Sequence, residues 1–464
     1  MRLIKKFIER FIFRIRLSIS SRWQRIWIGI YWSMTTGRVV VPSAIEQFNV
    51  SGSGLVPNKD FRIMRAYQNR WENADNLENE GHWHQAMRIR VEVMTELYAY
   101  QGMVDDKYFP PVLGANWSSN FGHLSLIGHH RLAQKSKILP AGDRIILCNN
   151  KIANHDLFRE VSNGMQIITQ KSGTGWADMT NFWHFCERMQ AIKTVDGFID
   201  ASQLVDEIFS EVNLESLRGD FLRLSEEYSV KSLRKLQEFG LPKSSKFVAL
   251  HIREGGQLGD PRTQKIETFI SSIIEITNNG YWVVRVGDPS MITLPNMKML
   301  IDLVPKRNSA KELHAFVLAS CEFFLGTHSG PAWVPRVFGI PTLITNAVKI
   351  GSTVARGPKG SIHIPKKYFD RKGKLLTLSE VFNERLAYSA PLLHKLKSKG
   401  FKLEANSSDE ILGSTKEMIR NVSEKSNAPS IFAESVDSIR RKYNAPVWGG
   451  FADSFINKYP EWLA

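Results

Sequence analysis

The sequence predicts an α/β fold with two domains, of which the second is built on a parallel, doubly wound sheet. Three short apolar runs in the second half give way at once to charged, hydroxyl or glycine residues: FVALHIREGG, YWVVRVGD and EFFLGTHSGP. Between the first two, Ile266, Phe269, Ile270 and Ile273 recur at helical spacing. Strands that alternate with helices form parallel sheets, which bind ligands in the crevice outside the carboxyl ends of their strands. The functional site is therefore expected at these strand ends.

The length of the chain indicates several structural units. Its 464 residues exceed what one hydrophobic core usually serves, so two sizeable domains with additions are expected. The pattern places a basic amphipathic helix in residues 1–40 and a connector with a helical, TPR-like appendage in residues 41–107. The two domains occupy residues 108–242 and 243–425, and residues 426–464 form a linker and packing tail.

Charge and cysteine content narrow the class of protein. The formal net charge is +15, but residues 1–38 hold nine Lys or Arg and only Glu9 as an acid, so the rest of the chain is only mildly basic. A nucleic-acid groove is not expected. Cys148, Cys186 and Cys321 lie far apart without CxxC spacing, which predicts reduced thiols and a cytoplasmic protein. No cluster has metal-ligand spacing, so neither a metal nor a cofactor is expected.

The N-terminal segment combines apolar and basic helical faces. Ile4, Phe7, Ile8 and Phe11 share one face, and the segment ends in three tryptophans. This pattern is typical of a helix that lies in the surface of an anionic membrane, here through residues 1–34. The alternative is a helix packed on a partner or on the protein itself. The oligomeric state is not readable.

The first domain should contain three short strands. The predicted strands lie within Tyr108–Trp117, Arg144–Cys148 and Met165–Thr169. Between the first two, Gly122 predicts a tight turn that leads into a helix. A charged amphipathic helix, roughly Leu217–Phe239, should close this domain.

The second domain continues the alternation of strands and helices. Ser309 and Glu312 predict a capping box, Ala332–Phe338 a brief helix, and PTLIT a further strand. Beyond Asn346 a helical region is expected at about Ser379–Lys397. Ser407, with Glu410 three residues later, predicts the capped start of another helix. The aromatic side chains of the packing tail, in residues 426–464, must cover apolar surface on this chain or on another.

Two arginines at strand ends suggest an anion site. Arg253 and Arg285 could present their guanidinium groups, which match phosphate in geometry, to one crevice. The alternative is that each pairs with a neighbouring carboxylate, Glu254 or Asp288. In GTHSGP, Thr327 and Ser329 could approach an anion, although a turn without a ligand would have the same sequence.

Several side chains could transfer a proton in such a site. These candidates are His251, His123, His328, Glu254 and Asp260. The sequence alone does not rank them.

A series of motifs resembles a known family. HIREGG, VVRVGD, FFLGTHSG, FGIPTLITN, IPKKY, LTLSEVF and SSDEILGSTKEM follow one another as in a family of bacterial surface-polysaccharide glycosyltransferases. The resemblance spans about Phe121 to the C-terminus and implies two Rossmann-like domains in the GT-B architecture. HIRE also resembles the HxR motif of GT-B fucosyltransferases. In those enzymes a second basic residue and an aspartate follow, whereas Glu254, Gly255 and Gly256 follow here, so a fucose donor is not implied.

The resemblance implies roles for individual residues. Arg253 would contact the donor diphosphate, with His251 beside it, and an acceptor-side loop would hold Asn120, Gly122 and His123. The catalytic candidates are His123 as the base, Arg253 and Glu254. The full donor-binding set comprises His251, Arg253, Arg285, Gly287, Asp288, Gly326, Thr327, Ser329, Gly330 and Asn346.

These implications give one functional expectation and one alternative. The expected activity is transfer of a sugar from a nucleotide-sugar donor to a growing, lipid-linked surface polysaccharide, of O-antigen or capsule type, at the cytoplasmic face of the membrane. The alternative is a catalytically inactive glycan-binding or scaffold protein on the same fold, because fold alone does not establish activity. Binding of a nucleotide distinguishes the two.

Overall fold

A computed structural model describes residues 69–464 with gaps. The gaps are residues 78–79, 81, 83–84, 87, 91, 94–111, 114–117, 119, 140–144, 149–151, 170–190, 194–197, 201–207, 210–220, 255–260, 307–309, 311, 349, 351–356, 385, 388–395, 397–398, 425–429 and 444–449. The predicted membrane-associating helix, Cys186, Asp260 and Ser309 lie outside the described residues.

The helical appendage is present in its described part. Residues 69–77 are helical, as are the described residues between 85 and 93. Arg90 donates a hydrogen bond to Asp75 over 2.9 Å and lies above the ring of Trp71, so the two helical stretches contact each other. Both stretches lie in the segment where the sequence predicts a helical appendage.

The first unit has a small parallel sheet with the order β1-β2-β3. Its predicted strands are confirmed, and a helix follows each of the first two. An antiparallel hairpin comes after them. The elements are β1 (Val112–Leu113), α1 (Phe121–Lys135), β2 (Ile145–Cys148), α2 (His155–Ser162), β3 (Gln166–Thr169), β4 (Ala191–Lys193) and β5 (Phe198–Asp200).

The second unit is built on a seven-stranded parallel sheet. Its helices and strands are α3 (Glu226–Glu238), β6 (Phe247–His251), α4 (Ile270–Asn278), β7 (Trp282–Arg285), β8 (Leu300–Asp302), α5 (Leu313–Ser320), β9 (Phe324–Thr327), α6 (Val334–Val337), β10 (Thr342–Ala347), β11 (Ile362–Pro365), β12 (Lys367–Phe369), α7 (Leu378–Asn383), β13 (Lys402–Glu404), α8 (Ser408–Ser423), α9 (Ala433–Lys442), β14 (Gly450–Phe451) and α10 (Asp453–Lys458). There are also 3-10 turns at Ile266–Phe269, Val304–Lys306, Gly330–Trp333 and Pro460–Leu463.

The strand order of this sheet has a switch point. From one edge to the other the order is β14-β11-β10-β9-β6-β7-β8. The chain builds outward from β6 through β7 to β8, then returns to β9 and builds the other way. The order therefore reverses between β6 and β9, and an open α/β sheet binds ligands at the carboxyl ends of such a pair. The predicted α/β class, with two successive units on parallel sheets, is confirmed.

The charged helix predicted at the end of the first unit contacts both units. α3 begins at Glu226, and the hydroxyl of Tyr228 donates to the carbonyl oxygen of Glu312, directly before α5. At its N-terminus, the backbone N–H and the hydroxyl of Ser225 donate to the carboxylate of Glu160 in α2. Tyr228 and Leu236 are buried in one core with Leu157 of α2 and Phe247 of β6.

The C-terminal tail completes the second unit. β14 pairs with β11 at the edge of the sheet, and Phe451, Phe455 and Trp462 are buried against each other. The tail thus covers apolar surface on this chain. The capping box of Ser407 and Glu410 is confirmed at the start of α8. α5, in contrast, begins only after Glu312, whose side chain makes no capping hydrogen bond.

A buried arginine lies between the two units. The guanidinium of Arg336 in α6 is above the ring of Trp333 and donates to Nε2 of His363 over 3.2 Å. The ring of His129 in α1 meets Trp333 edge to face. Burial and the charge of Arg336 lower the pKa values of His129 and His363 to about 3, so both rings are neutral at pH 7.

The buried histidines predict loss of stability in acid. Burial also lowers the pKa of His251 to about 4. Unfolded histidines titrate near pH 6.5, so between about pH 6.5 and 4 the unfolded chain binds more protons than the folded one. The free energy of unfolding should therefore decrease as the pH is lowered through this window, by about 1.4 kcal/mol per pH unit for each histidine. Urea unfolding at several pH values measures this slope.

One variant checks the assignment of the slope. His129→Leu should reduce the slope of the unfolding free energy against pH by the amount that corresponds to about one proton. The exposed His155, replaced by leucine, is the matched control. An unchanged slope in His129→Leu would contradict the assignment.

Candidate functional site

β6 and β9 approach closely at the switch point. His251 pairs with Gly326 across the two strands, and a Cβ atom on Gly326 would lie 2.4 Å from the carbonyl oxygen of His251. Only glycine fits there. Nδ1 of His251 donates to the carbonyl oxygen of Val286 over 3.1 Å, and the ring is buried and neutral. His251 therefore ties the end of β6 to the end of β7 and brings no positive charge to the switch point.

Arg253 is held at the mouth of this crevice. Its backbone N–H donates to Oγ1 of Thr327 over 2.9 Å, and its carbonyl oxygen accepts from the backbone N–H of Gln264. Thr327 and Ser329 are buried, and Oγ of Ser329 donates to the carbonyl oxygen of Thr327. Arg253 itself is half-buried. The guanidinium thus extends from a backbone that both switch-point strands fix in place.

The N-terminus of α1 faces the same turn. Asn120 caps the helix, because its Oδ1 accepts from the backbone N–H of Gly122 over 2.9 Å. A Cβ atom on Gly122 would lie 2.6 Å from Cα of Gly330. The structure therefore brings the predicted acceptor-side residues to the predicted donor-side turn. His123 is exposed in the first turn of the helix.

The prediction of a glycine turn at this point is wrong. Gly122 lies inside α1, which begins at Phe121. The sequence signal was a glycine before a helical pattern, and it has a different cause: the helix needs a residue without a side chain where its backbone meets that of Gly330.

Gly122→Ala should lower the thermal stability. An alanine normally stabilises a helix interior by about 1 kcal/mol over glycine. At Gly122 the new methyl group would meet backbone instead, and such overpacking costs about 1–3 kcal/mol. Gly413→Ala in α8 is the matched control, since its Cβ would make ordinary contact with Ser454 at 3.6 Å. Thermal denaturation should place the Gly122 variant below the wild type and the control at or above it.

Arg285 does not reach the crevice as expected. Its side chain has no exposed surface, and Nη1 donates to Oδ2 of Asp302 over 3.2 Å. Nη2 lies 3.4 Å from Oε2 of Glu254. Arg285 therefore pairs with carboxylates, as the alternative interpretation expected, but its partners are Glu254 and Asp302 and not Asp288. We call these three side chains the buried ionic cluster.

The buried ionic cluster holds the loop after β7. The backbone N–H of Ile292 donates to Oε2 of Glu254 over 2.8 Å, and its carbonyl oxygen accepts from Arg285 over 2.6 Å. The backbone N–H of Leu294 donates to Asp302. Burial raises the pKa of Glu254, while the amide of Ile292 and the charge of Arg285 oppose that shift. The side chain of Glu254 is only 8% exposed, and its role in this structure is to position the loop after β7.

Three predicted donor residues take other places. Asp288 is exposed and accepts from the backbone N–H and hydroxyl of Ser290. Gly287 lies against Met291, and a Cβ atom there would be 2.6 Å from Sδ of that side chain, which would have to shift. Asn346 is fully buried, and its side-chain oxygen accepts from the backbone N–H of Asn406. Asn346 therefore ties β10 to the start of α8 and is not at the surface of the crevice.

Asp302 and Ile292 are the positions that sequence reasoning missed. Asp302 ends β8 directly after an apolar run, the same signal that singled out the other strand ends. Ile292 gave no signal, because an isoleucine in a loop has no diagnostic neighbours. Among the described residues no cluster of three or more His, Cys, Asp or Glu could hold a metal ion. Within the same described ranges, every helix is too short or too polar to cross a bilayer.

Fold and site together define a two-unit α/β protein in which the N-terminus of α1 meets the switch point of the seven-stranded sheet. No family model matches the chain, and no curated protein matches it by sequence. Solved structures with similar backbones include a family 9 glycosyl transferase from Veillonella parvula, with 12% identity over 50% of this chain and 78% of that chain and a TM-score of 0.30.

Two further structures show the same level of likeness. The E. coli ADP-heptose lipopolysaccharide heptosyltransferase II has 12% identity over 50% of this chain and 83% of that chain, with a TM-score of 0.33. The wall teichoic acid polymerase TagF has 10% identity over 82% of this chain and 97% of that chain, with a TM-score of 0.24. At these identities and TM-scores the likenesses assign neither a family nor a substrate.

Proposed function

We propose that the chain is a glycosyltransferase that uses a nucleotide-sugar donor. The observation that carries this proposal is the meeting of Arg253, the turn Thr327–Gly330 and the N-terminus of α1 at one switch point. Such a crevice is where open α/β sheets accept nucleotides. The motif series that resembles surface-polysaccharide glycosyltransferases supports the same reading.

The chemistry of the crevice suits a diphosphate leaving group. Sugar transfer leaves negative charge on the nucleoside diphosphate, and cationic or N–H donors aimed at that charge lower the barrier. Arg253 offers a planar pair of donors that fits phosphate oxygens. α1 has 15 residues, and its N-terminus carries a partial positive charge close to Gly330. The proposal includes no resident metal or other cofactor.

His123 is the proposed base. It is exposed in the first turn of α1, beside the contact between Gly122 and Gly330. An imidazole there could take the proton of an acceptor hydroxyl as that oxygen attacks the sugar.

The acceptor and the location are further parts of the proposal. We infer a growing, lipid-linked surface polysaccharide, of O-antigen or capsule type, as the acceptor. Residues 1–34 would hold the enzyme at the inner face of the cytoplasmic membrane, where such an acceptor lies. This part is supported by the basic, amphipathic pattern of the segment and by the motif resemblance.

A nucleotide screen tests the proposal. Thermal denaturation with UDP, GDP, ADP, CMP or dTDP should show a rise in the midpoint with at least one of them, since a ligand that binds only the folded state stabilises it. The corresponding nucleotide sugar should then be consumed with an acceptor extract. No shift with any nucleotide would reject the glycosyltransferase and leave the glycan-binding scaffold.

A further inference from the structure

The backbone of Arg253 is held from two sides. β6 ends at His251, so Arg253 lies beyond the last residue of the strand. Its N–H donates to Oγ1 of Thr327 over 2.9 Å, and its carbonyl oxygen accepts from the backbone N–H of Gln264 over 3.0 Å. The direction in which the guanidinium leaves the backbone therefore depends on the positions of Thr327 and Gln264.

Gln264 is held in turn by a distant part of the chain. The residue is buried, and its Nε2 donates to the carbonyl oxygen of Asn406 over 3.0 Å and to Oγ1 of Thr268 over 2.9 Å. Both hydrogens of the amide are thus used. One residue earlier, the carbonyl oxygen of Thr263 accepts from Nζ of the buried Lys366 over 3.3 Å. The segment that carries Gln264 is therefore attached to residues that follow β11 and precede α8.

Asn406 is fixed by a reciprocal pair of hydrogen bonds with Asn346. The backbone N–H of Asn346 donates to Oδ1 of Asn406 over 2.6 Å, and the backbone N–H of Asn406 donates to Oδ1 of Asn346 over 2.8 Å. Nδ2 of Asn406 also donates to the carbonyl oxygen of Pro365. Both asparagines are buried. The position of the Asn406 carbonyl group, which Gln264 binds, is therefore set by β10 and β11.

The pair holds Asn346 in a strained backbone conformation. Its φ is +54°, in the left-handed region that residues other than glycine adopt uncommonly. Such strain persists where the surroundings fix it, and it is found most often at functional sites. The preceding residue, Thr345, pairs with Thr327 across β10 and β9. Two consecutive residues of β10 therefore stand behind the two hydrogen bonds that hold Arg253.

We propose that Gln264, Asn406 and Asn346 are positioning residues for sugar transfer. Their amide groups form a series of hydrogen bonds that leads from β10 to the carbonyl oxygen of Arg253, and this series directs the guanidinium toward the departing diphosphate. The inference rests on the proposed function, in which Arg253 contacts that group. It adds that the backbone strain at Asn346 serves the orientation of Arg253.

A double-mutant cycle tests the positioning role. Gln264→Leu removes both amide donors and should lower kcat about tenfold with a smaller change in KM for the donor, since a misplacement of about 1 Å can cost a hundredfold. In an Arg253→Ala background the same substitution should have no further effect on kcat, because a positioning residue acts only through the group that it positions. Steady-state kinetics of the four proteins, at a temperature where circular dichroism shows each to be folded, measures the coupling.

Two further variants separate positioning from stability. Asn346→Gly adopts a positive φ without strain but cannot accept from Asn406, so it should lower kcat as Gln264→Leu does and give the same coupling to Arg253. If Gln264→Leu does not fold, the cycle with Asn346→Gly decides. The matched control is Thr377→Ala, which removes the N-cap of α7; it should lower the thermal midpoint and leave kcat unchanged.

The outcomes distinguish this inference from the proposed function. Equal losses of kcat in the wild-type and Arg253→Ala backgrounds, or no loss in either, would overturn the positioning role and leave the glycosyltransferase proposal intact. If the wild type transfers sugar from no nucleotide sugar, the proposed function fails and the positioning role fails with it.

Discussion

Replacing Arg253 with alanine is expected to lower sugar transfer by about 10²–10³-fold, the usual loss when one group that stabilises developing charge is removed. The guanidinium extends from a backbone that Thr327 and Gln264 fix in place. The expected loss lies mainly in kcat, since the charge on the diphosphate is greatest in the transition state. Steady-state kinetics with the donor identified by the nucleotide screen measures it.

Two companion variants make the Arg253 result specific. Arg253→Lys keeps the charge but loses the planar pair of donors, so its activity should lie between alanine and wild type. Arg234→Ala removes an exposed arginine from α3 and should leave kcat unchanged. Full sugar transfer by Arg253→Ala would show that the role assigned to this residue is wrong.

Arg285→Met should destabilise the protein by about 3–5 kcal/mol, the cost of leaving buried carboxylates without their cation. The side chain has no exposed surface, and Glu254 and Asp302 are 8% and 10% exposed. Because those carboxylates can take up protons once the cation is gone, the deficit should shrink as the pH falls. Urea unfolding of variant and wild type at several pH values measures the difference.

A variant whose buried cluster carries no charge distinguishes the effect of charge on stability from the effect of packing. The triple variant with Glu254→Gln, Arg285→Met and Asp302→Asn keeps similar volumes without any buried charge, so it should be more stable than Arg285→Met alone. Arg441→Met, which removes one arm of an exposed ion pair with Asp437, is the surface control and should have a much smaller effect. If the triple variant is less stable than the single one, packing rather than charge explains the loss.

The sequence predicted the second unit well because its signals are local. The strands at Phe247–His251, Trp282–Arg285 and Phe324–Thr327 follow from apolar runs and their boundaries, and the start of α8 follows from the capping box of Ser407. The positions of His251, Arg253 and Thr327 at adjoining strand ends follow from the parallel sheet. Each of these features depends on residues close together in the chain.

The failures concern partners that are distant in the chain. Arg285 was expected in the crevice, but its direction depends on Glu254 and Asp302, which lie on two other strand ends. Asn346 was expected to bind the donor, but Asn406, 60 residues later, takes both its backbone N–H and its side-chain oxygen. Gly122 was interpreted as a turn because nothing near it in the sequence shows that Gly330 lies against it.

The contact between Gly122 and Gly330 limits how the two units can move. Backbone meets backbone there, so no side-chain rotamer can absorb a displacement. The same helix continues the contact at Gly128, where a Cβ atom would lie 2.4 Å from Cγ1 of Val337 in α6. Leu132 of α1 and Val337 also lie in one buried core. A displacement of α1 relative to the turn at Gly330 therefore has to repack this core, so the spacing between the N-terminus of α1 and Thr327 is set by tight packing rather than by a loop.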